Sequence, residues 1–233
     1  MIHSAFHLFG RAATPGHQVE EFLLLVSEAN VLFRQGVYAY LDHGSNSAPF
    51  GAVLRQMNEH EQQGEILRRL AENSLLNQPD DCAANNKSCS ALFHLLEQLG
   101  IILHRFTRYL TSFDIEHPDF PPAFHSNIKE LTLPVSLAVE AALEAVRGFL
   151  HHDDNLEEYL PRVTFHEKEA DKLEARISRS IFESDLHLDA KGHLRHFVDH
   201  LDEPADKAEE LVTWLSIHRL GHRFETHRGS WET

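Results

Sequence analysis

Apolar residues return at intervals of three and four along almost the whole chain, and no stretch alternates apolar with polar for the length of a strand. Such a repeat gathers a stripe on one face of an α-helix and gives a sheet nothing to bury. The chain is therefore predicted to be all-α. Six helices are expected, from about Gly16 to Asp42, Phe50 to Leu76, Ser88 to Phe113, Ala123 to Leu150, Asn155 to Glu183 and Ala190 to Leu220. Phe22, Leu25, Val26, Ala29, Leu32 and Phe33 draw the stripe of the first. Asn155 and Asp189 are read as N-caps, since a short acceptor side chain can satisfy the first free N–H groups of a helix. The tail from His222 onward is expected to fray.

The segment DIEHPDFPP at 114–122 is the strongest interruption, because consecutive prolines cannot continue a helix. Three long helices, a proline-rich joint and three more suggest a duplicated unit of roughly 106 residues. Long antiparallel helices with short connections pack as bundles at shallow crossing angles. The expected architecture is six long antiparallel helices in two tandem three-helix bundles, an N-terminal repeat over 1–116 and a C-terminal repeat over 117–233.

Charge narrows the function classes. A net charge of −15 over 233 residues repels nucleic-acid phosphates and anionic lipid, so no nucleic-acid partner is expected. No apolar run approaches the roughly 18 to 20 residues that span a bilayer, and no membrane insertion is expected. The N-terminus MIHSAFHLFGRAATPG lacks the long apolar core of a secretory signal. Cys82 and Cys89 are too few for a disulfide framework and are read as reduced thiols, which places the chain in the cytoplasm. The 19 histidines are scattered and read mainly as surface residues.

Two acidic patterns carry the most chemistry. HEKEADKLEARI at 166–177 holds Glu167 and Asp171, and HLDEPADKAEELVTWL at 200–215 holds Asp202 and Asp206. Carboxylates four residues apart share a helical face. On the fifth helix Glu167 and Glu174 flank the stripe of Leu156, Tyr159, Val163, Ala170, Leu173, Ile177 and Ile181. On the sixth, Asp202 and Glu209 border the stripe of Leu194, Val198, Leu201, Ala205, Val212 and Leu215. If the two helices lie side by side, four carboxylates converge, and each raises its neighbours' pKa unless a cation intervenes. Oxygen ligands suit a divalent or trivalent ion, and Fe, Mn, Mg, Ca and Zn all stay open. His166 is weighed as an additional ligand and set lower, since its position falls in or beside the core stripe. The competing reading is two solvated helix faces.

These two motifs resemble the second repeat of the PhoU-like family, and within it the branch of phosphate-transport regulators called Pit accessory proteins. The resemblance in helix order and spacing covers about residues 16 to 220. It implies two tandem three-helix bundles, with E/D-x-x-x-D motifs on two helices of each bundle that can hold a metal cluster. Glu167/Asp171 would be the first motif and Asp202/Asp206 the second. It further implies a non-catalytic role in regulating inorganic phosphate transport, through a membrane phosphate transporter or a signalling protein, at the cytoplasmic side of the inner membrane.

The chain departs from that pattern in two places. The N-terminal equivalents fall near His60/Gly64 and Leu96/Gly100; a one-residue slip offers Glu61/Glu65, but only Glu97 on the third helix. One metal site at most is therefore expected. Pro204 also stands inside the second C-terminal motif and removes the backbone bond to His200, at a cost of about 3 kcal/mol unless the helix bends.

Two alternatives from other classes stay open. A helical scaffold or interaction protein without ligand is compatible with the missing N-terminal acids. A carboxylate-bridged di-iron enzyme would want Glu-x-x-His on two helices, and no Glu in the chain has a His three residues on. Nucleotide-binding, hydrolase and metalloprotease signatures are absent, so no enzyme is expected. Phe6, Phe9, Phe22 and Phe33 read as packing residues and Trp214 as an anchor of the C-terminal bundle. Arg68/Arg69 beside Glu61/Glu65 suit pairing on a wet face; an arginine pair can hold phosphate, but nothing else in the sequence converges on this one. A leftover apolar face would favour a homo-oligomer.

Overall fold

The computed structural model describes residues 15–77, 86–151 and 158–228. Those residues form six α-helices and no strand: α1 Pro15–His43, α2 Ala48–Leu76, α3 Asn86–Glu116, α4 Pro122–Leu150, α5 Tyr159–Glu183 and α6 Leu188–Arg228. The all-α expectation holds. Leu156, Asn155, Cys82, Phe6 and Phe9 lie outside the described residues.

The helix ends follow local chemistry. Gly44 stops α1 at φ +81°, a left-handed position that glycine adopts without strain, and its N–H donates to the Tyr40 carbonyl at 2.8 Å. Ser47 caps α2, its hydroxyl accepting from the Phe50 N–H at 3.3 Å, with Pro49 in the first turn. Pro121 and Pro122 end the joint and open α4. Two expectations about ends are corrected. Asp189 sits within the first turn of α6, where its carboxylate meets the positive helix end, and not at the cap. The tail does not fray at His222: α6 runs to Arg228, with Trp214 and His218 packed on rings of α3 and α4.

Helices α1, α2 and α3 pack on one another, as do α4, α5 and α6; α1 against α4 and α3 against α6 join the two groups. A single buried core runs through all six. Its densest part lies beside the proline-rich joint. There Phe113 of α3 is stacked on Tyr40 of α1, ring centroids 4.2 Å apart, and on Phe197 of α6 at 5.2 Å. The Tyr40 hydroxyl donates to the Pro118 carbonyl at 2.9 Å, and burial pushes its pKa up to about 12. Phe22 and Phe33 are fully buried, as expected of packing residues.

Proline inside α4 and α6 bends neither helix into two. Around Pro134, Tyr38 donates to the Lys129 carbonyl at 3.2 Å and Asn30 to the Ser136 carbonyl at 2.9 Å, so α1 supplies polar contacts on both sides of the interruption. Trp214 does more than anchor its own helices, since it packs at a tilt against His94 of α3, ring centroids 4.2 Å apart. Cys89 is disulfide-bonded, which corrects the reduced-thiol reading at that position. No described helix is long and apolar enough to cross a membrane.

Candidate metal centre

The third turn of α5 and the middle of α6 face each other along the C-terminal group. Val163, Ala170 and Ile177 on one side, and Val198, Leu201, Ala205 and Leu211 on the other, are fully buried and bring the two helices together. The acidic motifs sit at the edge of that seam. Glu167 and Asp202 are drawn into it, at 9% and 6% exposure, while Asp171 and Asp206 remain exposed.

The carboxylates meet. Glu167, Asp171 and Asp206 each place one oxygen within 4.8 Å of the others. Oxygens bound to one ion at about 2.0 to 2.6 Å can be no more than about twice that distance apart, so this trio has the span of a single coordination shell. Asp202 lies beside it, in the field of Asp206, Asp171 and Glu167. Pro204 therefore does not turn the two aspartates of its motif away from each other.

Among the described residues, two buried oxygens of the cluster have no partner. Glu167 Oε2 and Asp202 Oδ1 are shielded from water and accept no hydrogen bond. An orphaned buried polar atom costs about 1 to 3 kcal/mol, and more when charged. The charge state reflects the same strain. Burial, then Asp171, Glu209 and Asp206, raise the Glu167 pKa to about 7. Burial, then Asp206, Asp171 and Glu167, raise Asp202 to about 8. Asp206 is raised by burial and by Asp171, against a smaller opposing pull from Lys207. None of the four forms an ion pair among the described residues. A cation would satisfy both orphaned oxygens and remove the mutual repulsion, so the donor set fits a hard or borderline metal ion.

Neighbouring residues separate into those that share the cluster and those that do not. Glu209 adds to the field on Glu167. One turn along the seam Glu174 is also raised by burial, but it accepts from the Ser178 hydroxyl at 2.8 Å, and its neighbour Asp199 has Arg195 at 3.5 Å. That second pair carries its own cation. His166 stays out of the cluster; its ring packs edge-on to Phe165 at 5.3 Å, and burial and Arg162 lower its pKa.

The positions in α2 and α3 that the expected repeat would align with these motifs hold different residues. Gly64 is buried where a Cβ would meet Leu103, Phe22 and Leu25, and Gly100 lies under the stem of Arg68. Arg68 reaches Glu65 at 2.9 Å and Glu72 at 2.5 Å. A guanidinium thus covers Gly100, and the carboxylates near it are paired with cations.

No family model matches this sequence, and no curated protein matches it. Two solved structures from Shewanella oneidensis MR-1 do. One, described as a PhoU-like phosphate regulatory protein, superposes with a TM-score of 0.71 over 89% of this chain and 99% of its own, at 17% identity. The other, described as a PhoU-like protein, gives a TM-score of 0.72 over 88% and 98%, also at 17% identity. The chain has the PhoU-like fold. At that identity the likeness is one of architecture, and it spans nearly the full length of both neighbours.

Proposed function

We propose that this PhoU-like protein is a non-catalytic regulator of inorganic phosphate transport. It holds one metal ion, or a small cluster, on Glu167, Asp171, Asp202 and Asp206. The observation that carries the metal is the pair of buried, unpartnered oxygens on Glu167 and Asp202 beside a trio of converging carboxylates. Bound there, a divalent or trivalent ion would tie α5 to α6 and discharge the cluster. Support for the regulatory role comes from the fold shared with a protein described as phosphate-regulatory.

Several finer readings belong to the same proposal. The two groups of three helices are repeated units, over 1–116 and 117–233, of which the first has lost its acids at Gly64 and Gly100. The partner is a membrane phosphate transporter or a signalling protein, met from the cytoplasmic side.

Elemental analysis of the chain purified without chelator tests the metal. Near-stoichiometric iron, manganese, zinc or another such ion is expected, and it should be absent from the Asp171→Asn/Asp202→Asn double variant. A metal-free wild type whose melting temperature is unmoved by added ions would leave the helical scaffold as the better reading.

A further inference from the structure

Arg68 and Arg69 share the carboxylate of Glu65 but differ in exposure, at 29% and 70%. Arg69 is exposed and held by Glu65 at 2.6 Å. Arg68 turns over Gly100 and lines an open groove of about 1100 Å³ between α2, α3 and α6. Arg105 and Arg108 enter that groove from α3 and Lys207 from α6. Four permanent cations thus converge on one concavity of a chain whose net charge is −15.

Two of the three carboxylates in the lining are engaged. Glu61 accepts from His104 at 2.7 Å and Glu65 holds both Arg68 and Arg69, while Glu97 is exposed, 3.9 Å from His94. Arg68 is taken up by Glu65 and Glu72, but the α3 arginines keep donors in hand. Among the described residues Arg105 uses only Nη1, on Glu203 at 2.6 Å, and a guanidinium has five N–H groups. Arg108 is exposed and makes no ion pair among the described residues. Lys207 binds Glu210 at 2.6 Å, on the exposed side of α6. Below them the floor is apolar, with Gly64, Leu103 and Phe22, which strengthens any charge contact made above it. Planar, forked donors from two arginines match the oxygens of a phosphate better than those of a halide or a lone carboxylate.

We infer that this groove binds a small, multiply charged oxyanion, a phosphate or phosphoryl group, on Arg105, Arg108 and Lys207, with Arg68 behind them. The choice of phosphate among oxyanions rests on the reading of the chain as a regulator of phosphate transport; the groove itself does not. It occupies the N-terminal counterpart of the acidic cluster, so the two halves would take ions of opposite sign.

Titration calorimetry on the full chain tests this, with inorganic phosphate in one arm and adenosine triphosphate in the other. Wild type should give saturable heat in at least one arm, weakened about tenfold or more in Arg108→Glu, a loss of about 1.4 kcal/mol. The tighter arm identifies free or carried phosphate. Arg108 is exposed, and an unchanged melting temperature would confirm that the variant is folded. The inference fails if neither arm saturates, or if Arg108→Glu binds as wild type does. It also fails if binding disappears in Asp171→Asn/Asp202→Asn but survives in Arg108→Glu, because the anion would then sit on the metal. Metal content should be the same in Arg108→Glu and wild type, so the groove and the metal centre can fail separately.

Discussion

The side-chain amide of Asn30 donates to the carbonyl of Ser136 at 2.9 Å, and the two residues stand 106 apart in the chain. That separation equals the repeat length suggested by the helix pattern. The bond crosses from α1 to α4, where the two groups of helices meet, with both residues only 4% exposed. Asn30 Oδ1, on the same side chain, is buried without a partner.

Replacing Asn30 by Ala should therefore cost more than an ordinary surface change. The lost bond and the small cavity together predict about 1 to 2 kcal/mol of destabilisation. In urea the midpoint should fall while the slope stays constant, the mark of a change in stability alone. A variant as stable as wild type would mean that the Ser136 carbonyl is fully served by its own helix and that the cross-link contributes nothing.

Two helical glycines should respond to alanine with opposite signs. At Gly64 the new Cβ would collide with Leu103 and crowd Phe22 and Leu25 in the core. Overpacking of that kind costs about 1 to 3 kcal/mol, which outweighs the roughly 1 kcal/mol that alanine gains in helix propensity. At Gly192 nothing lies within 4 Å, so the propensity gain should appear almost undiminished. Thermal melts of the two variants side by side decide the matter; equal shifts would contradict the packing seen at Gly64.

The acidic cluster should reverse the usual dependence of stability on pH. In the metal-free chain Glu167 titrates at about 7 and Asp202 at about 8, against 4.5 and 3.8 for the free groups. Between those limits the native state keeps protons that the unfolded chain has released, so stability falls as pH rises. The melting temperature of metal-free protein should drop from pH 5.5 to 8.5, by about 2 to 4 °C for each kcal/mol at this size. Asp202→Asn should flatten the profile, and added manganese should restore the wild type at the alkaline end. A cluster whose stability climbed with pH would have its carboxylates solvated, with burial playing no part.

Much of this was legible in the sequence, for a physical reason. Helix periodicity is local, so the stripe of α1 and the acids of α5 and α6 could be placed before any tertiary contact was known. The degree of burial could not. Asp202 borders the stripe on a helical wheel, yet it is nearly as covered as its apolar neighbours, because α5 closes over it. Asp189 looked like a cap, because its residue type favours caps, but α6 begins one residue earlier. The groove was invisible for a stronger reason. Arg68, Arg105 and Lys207 come from three helices, and no spacing within one helix announces their convergence. Arg68/Arg69 read as an equivalent pair because adjacent residues look alike on paper, while only Arg68 is half-buried over Gly100.

Trp214 packs on two imidazoles, tilted against His94 from α3 at 4.2 Å and stacked on His218 from its own helix at 5.0 Å. An indole in contact with both helices senses whether α3 and α6 are in register. The molecule thus carries a built-in optical gauge on the seam that joins its first three helices to its last three, and emission from that ring would report their parting before the helices themselves melt.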